Sequence, residues 1–129
     1  MKKTTNDWLI SAENDIQLNS NILHIEQLTH LIAFHAQQAI EKSFKAIIEE
    51  FDLGFVKTHS LEMLYGIIKN HLSIDFNYDL LILLDQLYID ARYPGEMGLL
   101  PNGKPTSNDA CEFHELSKII WLEANNICQ

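Results

Sequence analysis

Apolar residues recur at helical spacing along almost the whole chain, and strand-like alternation is never sustained. The pattern predicts five helices. The first, about 6–22, carries Trp8, Ala12, Ile16 and Leu23 on one stripe, with Asn6 or Asp7 placed to cap it. The second and longest, about 28–51, presents Ile32, Ala36, Ala39, Ile40, Phe44, Ile47 and Phe51, and Gly54 is expected to stop it just past Leu53. Ser60 opens a third, about 60–71, with Leu61, Leu64, Ile67 and Ile68. The fourth, about 77–92, is apolar nearly all round: Leu80, Leu81, Leu83, Leu84, Leu87, Tyr88 and Ala91. Such a helix belongs in the middle of a bundle, with Asp79, Asp85 and Asp90 as its only wet positions. Pro94 and Gly95 end it, and a long loop follows. Thr106 and Asp109 then have capping-box spacing and start a fifth helix to about 127, with Ala110, Phe113, Leu116, Ile120 and Ile127. Short connections between the earlier helices favour an all-α fold, a five-helix, mainly antiparallel up-and-down bundle.

Length and charge narrow the picture. The 129 residues suffice for one domain, 1–129, with a real core, and 47% of them are apolar. The start "MKKTTNDWLISAEND" lacks a secretory pattern, and the longest apolar run, "LLILL", is far too short for a bilayer. A cytoplasmic protein without a membrane partner is expected. The net charge of −9 repels phosphate backbones on average, so generic nucleic-acid binding is not expected, although a local basic pocket is compatible with it. Cys111 and Cys128 lie roughly 25 Å apart along one helix, too far for a disulfide, and read as free thiols.

Candidate chemistry is sparse. Helix 2 contains "FHAQQAIEKSFKAIIEE", which puts His35, Gln38, Lys42, Lys45 and Glu49 on one side, opposite the apolar stripe. That strip is either ligand-facing or a solvated face with the helix-spaced pairs Glu41–Lys45 and Lys45–Glu49. His59 in "VKTHS" is either a neutral imidazole beside a polar site or simply the residue before a helix capped by its neighbours. Neither a metal motif, a phosphate-binding glycine loop nor a nucleophile elbow is found, and no metal or cofactor is expected. Cys111 and His114 are more simply surface and core than a catalytic pair.

The segment "DARYPGEMG" holds Arg92, the chain's only arginine, where helix 4 ends. A guanidinium there meets the helix dipole favourably and can grip phosphate or carboxylate with two parallel hydrogen bonds, while Tyr93 offers a ring for stacking. The alternative is an ion pair from Arg92 to another helix, fixing the loop.

"DWLISAENDI", "FHAQQAIEKSFKAII", "KTHSLEML", "ARYP" and "NDACEFHELSKII", in that order, together resemble the HEPN family (higher eukaryotes and prokaryotes nucleotide-binding domain) over nearly the whole chain. The resemblance implies a five-helix bundle, usually dimeric. Some members resemble partners of minimal nucleotidyltransferases in toxin–antitoxin-like pairs, others bind nucleotides, and a third set are ribonucleases with a His four to six residues after an Arg. After Arg92 no histidine lies in that window, so no catalytic residue is assigned. The expectation is a binding module: a homodimer or a nucleotidyltransferase partner, taking a nucleotide at Arg92, Tyr93, Lys42, Lys45, Gln38, His35 and His59. The alternative is a metal-independent ribonuclease that pairs Arg92 with a histidine recruited through space, and a third possibility is a purely structural scaffold.

Overall fold

The computed structural model describes the backbone of residues 1–92 and 104–129 and the side chains of 1–90 and 104–129. Among the described residues it is all-α, with five helices: α1 (Lys3–Ile22), α2 (Thr29–Glu50), α3 (Leu61–Ile68), α4 (Asp79–Arg92) and α5 (Ser107–Ile127). Short 3-10 turns, Glu26–Leu28 and Lys69–His71, precede α2 and extend α3.

Side-chain pairs fix the helix directions. Asn19 of α1 donates to the Ile32 carbonyl of α2 at 2.9 Å, and Lys2 just before α1 meets Glu50 at the far end of α2, so the two run antiparallel. Trp121 of α5 donates to the Leu9 carbonyl at 2.9 Å, and His114 lies beside Ser20, so α5 is antiparallel to α1 and parallel to α2. The connection 51–60 does not simply turn over. It runs back along α2 until His59 reaches Glu41, before α3 starts. Arrangement in the bundle is therefore mainly antiparallel, with α2 and α5 as parallel neighbours.

The middle helix is α2, not α4. It packs against each of the other four helices and buries Ile32, Ala36, Ala39, Ile40, Phe44 and Ile47 completely. α4 packs on α2 and α3 through Leu81 and Leu84 but leaves Ile82, Leu83 and Ile89 exposed. Apolar content all round did not make α4 central, because a helix packed on one side only has an unpartnered face. Nor are its carboxylates simply wet. Asp85 accepts from the Leu61 and Glu62 amides at 2.7 and 3.2 Å, holding the start of α3, and Asp90 is buried and accepts from Gln86.

Helix ends follow local chemistry. Thr106 and Asp109 form the reciprocal capping box, and Ser60 accepts from the Met63 amide. α1 instead starts at Lys3 with no side-chain cap, so neither Asn6 nor Asp7 caps it, and its buried stripe is Thr5, Leu9, Ala12, Asp15 and Asn19. α2 stops before Gly54. Asp52 takes the left-handed conformation (φ 53°), and the Leu53 amide bonds back to the Ile48 carbonyl while the Asp52 amide bonds to Glu49. That is the Schellman pattern with aspartate where glycine is commonest. Cys111 is exposed and Cys128 buried, both as free thiols.

Candidate functional site

The polar strip of α2 makes the helix-spaced Glu41–Lys45 pair expected of it, but it does not lie open to solvent. It is a half-buried seam organised by two carboxylates. Asp15, on the inward stripe of α1, receives His35 Nδ1 at 2.9 Å and Lys42 Nζ at 2.7 Å. Side-chain exposure is 12% for Asp15, 24% for His35 and 20% for Lys42, so this cluster is enclosed between α1 and α2. Glu41, buried on α2, receives Lys45 Nζ at 3.0 Å, Gln37 Nε2 at 3.2 Å and His59 Nδ1 at 3.1 Å. Gln37 also donates to the His59 carbonyl, and Gln38 donates to Gln37 at 2.7 Å. Lys45 further lies over the Trp8 ring, 5.5 Å from its centroid.

The physics of such pairs is asymmetric. Taking a lysine and a carboxylate out of water costs several kcal/mol per ion, and their attraction offsets that only when the remaining hydrogen bonds are filled. Here they are filled: Glu41 accepts from three side chains and Asp15 from two. Removing either carboxylate would strand a desolvated ammonium. Lys42 and Lys45 are thus neutralised at home.

The two histidines differ. His35 is held within the seam, edge-on to Phe34. His59 has 51% of its side chain exposed. Its Nδ1 faces the Glu41 carboxylate, so in the neutral ring Nδ1 carries the proton and Nε2, across the ring, is an acceptor. The His59 ring also lies 5.7 Å from the Tyr88 ring, and Tyr88 stacks on Phe34 at 5.8 Å. Tyr88 is one helical turn before Arg92, the last residue of α4. The fold therefore brings His59 to the C-terminal part of α4, a juxtaposition invisible from linear spacing. Beside it a groove of about 450 Å³ runs between the start of α3 and the outer side of α4. The Arg92 side chain and all of Tyr93 lie outside the described residues.

The residues expected in one site thus divide. Lys45, Gln38 and His59 converge on Glu41, directly or through Gln37, while His35 and Lys42 converge on Asp15. Asp15 and Gln37 were not singled out from the sequence, and Glu41 was named only as the helix-spaced partner of Lys45, a pair that forms at 3.0 Å. The signal for Asp15 was its place in helical phase with Leu9, Ala12 and Asn19. For Gln37 and Glu41 it was their phase with Phe44 and Ile48 on the buried side of α2.

Two histidines outside the strip are affected by burial. His114 and His30 are both held below the ordinary histidine value, chiefly by desolvation and further by Lys118 and Lys104 respectively. Burial likewise pushes the Cys128 thiol up to about 11. Among the described residues no group of His, Cys, Asp or Glu could hold a metal ion, and no helix is long and apolar enough to cross a membrane.

Comparison with known proteins bears on the whole bundle. The crystal structure of an archaeal HEPN homologue superposes with a TM-score of 0.71 at 23% identity, covering 100% of both chains. At that identity the likeness speaks for the fold. No curated protein sequence matches significantly. The family model for the HEPN domain matches residues 5–126, from the first turns of α1 nearly to the end of α5. The chain belongs to the HEPN family.

Proposed function

We propose that this protein is a nucleotide-binding module whose ligand sits at the C-terminal end of α4, beside His59. One observation carries the proposal: His59, oriented by buried Glu41, stands next to Tyr88, one turn from the chain's only arginine. Arg92 supplies the phosphate contact, and Tyr93 is assigned to the ligand with it. Because Lys42 and Lys45 are each bound to a carboxylate, they, with His35 and Gln38, hold the framework rather than the phosphate. No cofactor is required. Calorimetric titration with ATP and then GTP tests this. Saturable binding that weakens with salt is expected, and Arg92→Ala should cost about 1.5–3 kcal/mol of affinity, the range for a charge-assisted hydrogen bond. Unchanged affinity in a folded Arg92→Ala protein would remove Arg92 from the site. No binding at millimolar nucleotide would leave a protein–protein module.

The same proposal includes self-association as a homodimer, or pairing with a minimal nucleotidyltransferase in a toxin–antitoxin-like pair. HEPN family membership supports it, as do exposed Leu83 of α4 and Ile119 and Leu122 of α5, apolar surface that a subunit contact would cover. Sedimentation of the purified chain distinguishes dimer from monomer.

A second proposal, metal-independent RNA cleavage, is favoured by the same recruited histidine. His59 would serve where the local sequence after Arg92 has none. RNA degradation by the wild-type chain that vanishes in His59→Ala supports it, and intact RNA with both proteins excludes it.

A further inference from the structure

We infer that the groove between the start of α3 and α4 takes a planar heteroaromatic base carrying N–H donors, an amino-bearing nucleobase, and rejects phosphate. This rests on the nucleotide proposal above and says which part of the ligand lies where.

The size fits first. About 450 Å³ lies within the range of small-ligand clefts. The walls are flat or apolar: the His59 and Tyr88 rings, and Ile82 and Ile89 on the outer side of α4. A flat ring can stack or slide there, burying apolar surface without desolvating a charge.

Hydrogen-bonding capacity then sets the ligand's edge. In its neutral form His59 presents Nε2 as an acceptor, because Nδ1 is turned to Glu41. Gln86 gives one of its two amide N–H groups to Asp90, and its amide oxygen is an acceptor. Glu62 is an exposed carboxylate that accepts from the Tyr78 hydroxyl at 3.2 Å and has lone pairs left. The Ser60 and Thr58 hydroxyls are already engaged. Ser60 donates to Asp85 and accepts from the Met63 amide, and Thr58 accepts from the Ser60 amide. The groove is therefore rich in acceptors. Its natural complement is a donor-bearing edge such as the amino and ring N–H of guanine or the amino group of adenine or cytosine.

The same inventory rejects phosphate. Among the described residues lining the groove there is no lysine or arginine, while Glu62 and Asp85 are both acidic. The one feature that would attract an anion, the amide-rich start of α3, is already filled by Asp85. A phosphate must lie elsewhere. Arg92 is one turn beyond Ile89 and about 9 Å along the helix from Gln86, which suits a base in the groove with its phosphates at the helix end.

The test is titration of the full chain with guanosine, adenosine, cytidine, uridine and inorganic tripolyphosphate. The three amino-bearing nucleosides should bind, uridine roughly tenfold more weakly, and tripolyphosphate should not displace them. Glu62→Gln, on the surface and expected to fold, should weaken guanosine roughly tenfold, and Gln86→Leu should do the same independently. Equal binding of uridine, unchanged guanosine affinity in both variants, or spermidine binding more tightly than any nucleoside would overturn the inference. ATP binding that is lost in Arg92→Ala yet indifferent to Glu62→Gln and Gln86→Leu would overturn the base groove alone and leave the nucleotide proposal standing. No binding of ATP or of any nucleoside would overturn both.

Discussion

Two clusters built from the same parts sit on neighbouring sides of α2. Each has one buried carboxylate, one lysine and one histidine bonded through Nδ1: Asp15 with Lys42 and His35, Glu41 with Lys45 and His59. The first is closed, with no member's side chain more than 24% exposed. The second opens to a groove through a histidine that is 51% exposed. Residue types alone do not separate them. What does is the element that brings the histidine. His35 is part of α2 and faces α1, so its cluster is sealed by helix packing. His59 arrives on a connection that runs back along α2, and such a segment leaves its outer side free. The closed cluster is a staple between α1 and α2, and the open one is a platform at a surface groove.

The largest effect should come from cutting the staple. Asp15→Ala strands Lys42 and His35 in the seam and should cost about 3–5 kcal/mol, the usual range for breaking a buried ion pair, measured by urea denaturation. A loss below 1 kcal/mol would show that water reaches the pair. Next, the two histidines should respond in opposite ways. His35→Ala should lower stability by about 1.5–2 kcal/mol, whereas His59→Ala should cost about 0.5 kcal/mol or less, because half its side chain is already in water. In ATP affinity the order should reverse. Equal stability costs would erase the distinction between staple and platform.

Protonation gives a smaller, graded test. His114 faces Ser20 of α1 and lies near Lys118 and Glu115 of its own helix; burial holds it, like His30, below the ordinary value of 6.5. The unfolded chain then binds more protons than the folded one, so stability is fully present above pH about 6.5 and is lost as pH falls through that value towards the depressed folded values. His114→Gln should flatten the acid side of a urea-midpoint profile over this window. An unchanged profile would contradict the assignment. Least in energy but easiest to observe, the two thiols should separate as the clusters do. Exposed Cys111 should react with a thiol reagent in the native protein, while Cys128, buried and pushed up to about 11, should react only on unfolding.

Helix positions were legible because they depend on neighbours in sequence. The Thr106–Asp109 capping box and the Ser60 cap are visible three residues at a time, and both form. The centre of the bundle was not legible in the same way. The apolar circumference of α4 suggested a middle helix, yet α2 takes that place and α4 keeps Ile82, Leu83 and Ile89 on the outside. The end of α2 shows a local ambiguity: Gly54 was the obvious stop, but Asp52, able to hold the left-handed conformation, acts two residues sooner.

Of the site, the strip His35, Gln38, Lys42, Lys45 and the isolated His59 could be named from the sequence, but of their division only the Glu41–Lys45 pair could be. Asp15 is 20 residues from His35 and 27 from Lys42, and its pairing depends on the antiparallel register of α1 on α2. Asp85 caps α3 from 24 residues beyond Leu61. Such contacts are properties of packing, and linear spacing carries no trace of them.

The most direct test of the central claim is the set of histidine side-chain NMR signals of the wild-type chain, followed while ATP is added. Binding at the open cluster predicts that the His59 ring signal moves saturably while the enclosed His35 ring stays in place. A His35 signal that moves while His59 does not, or six histidine signals that all stay fixed at millimolar ATP, would contradict it.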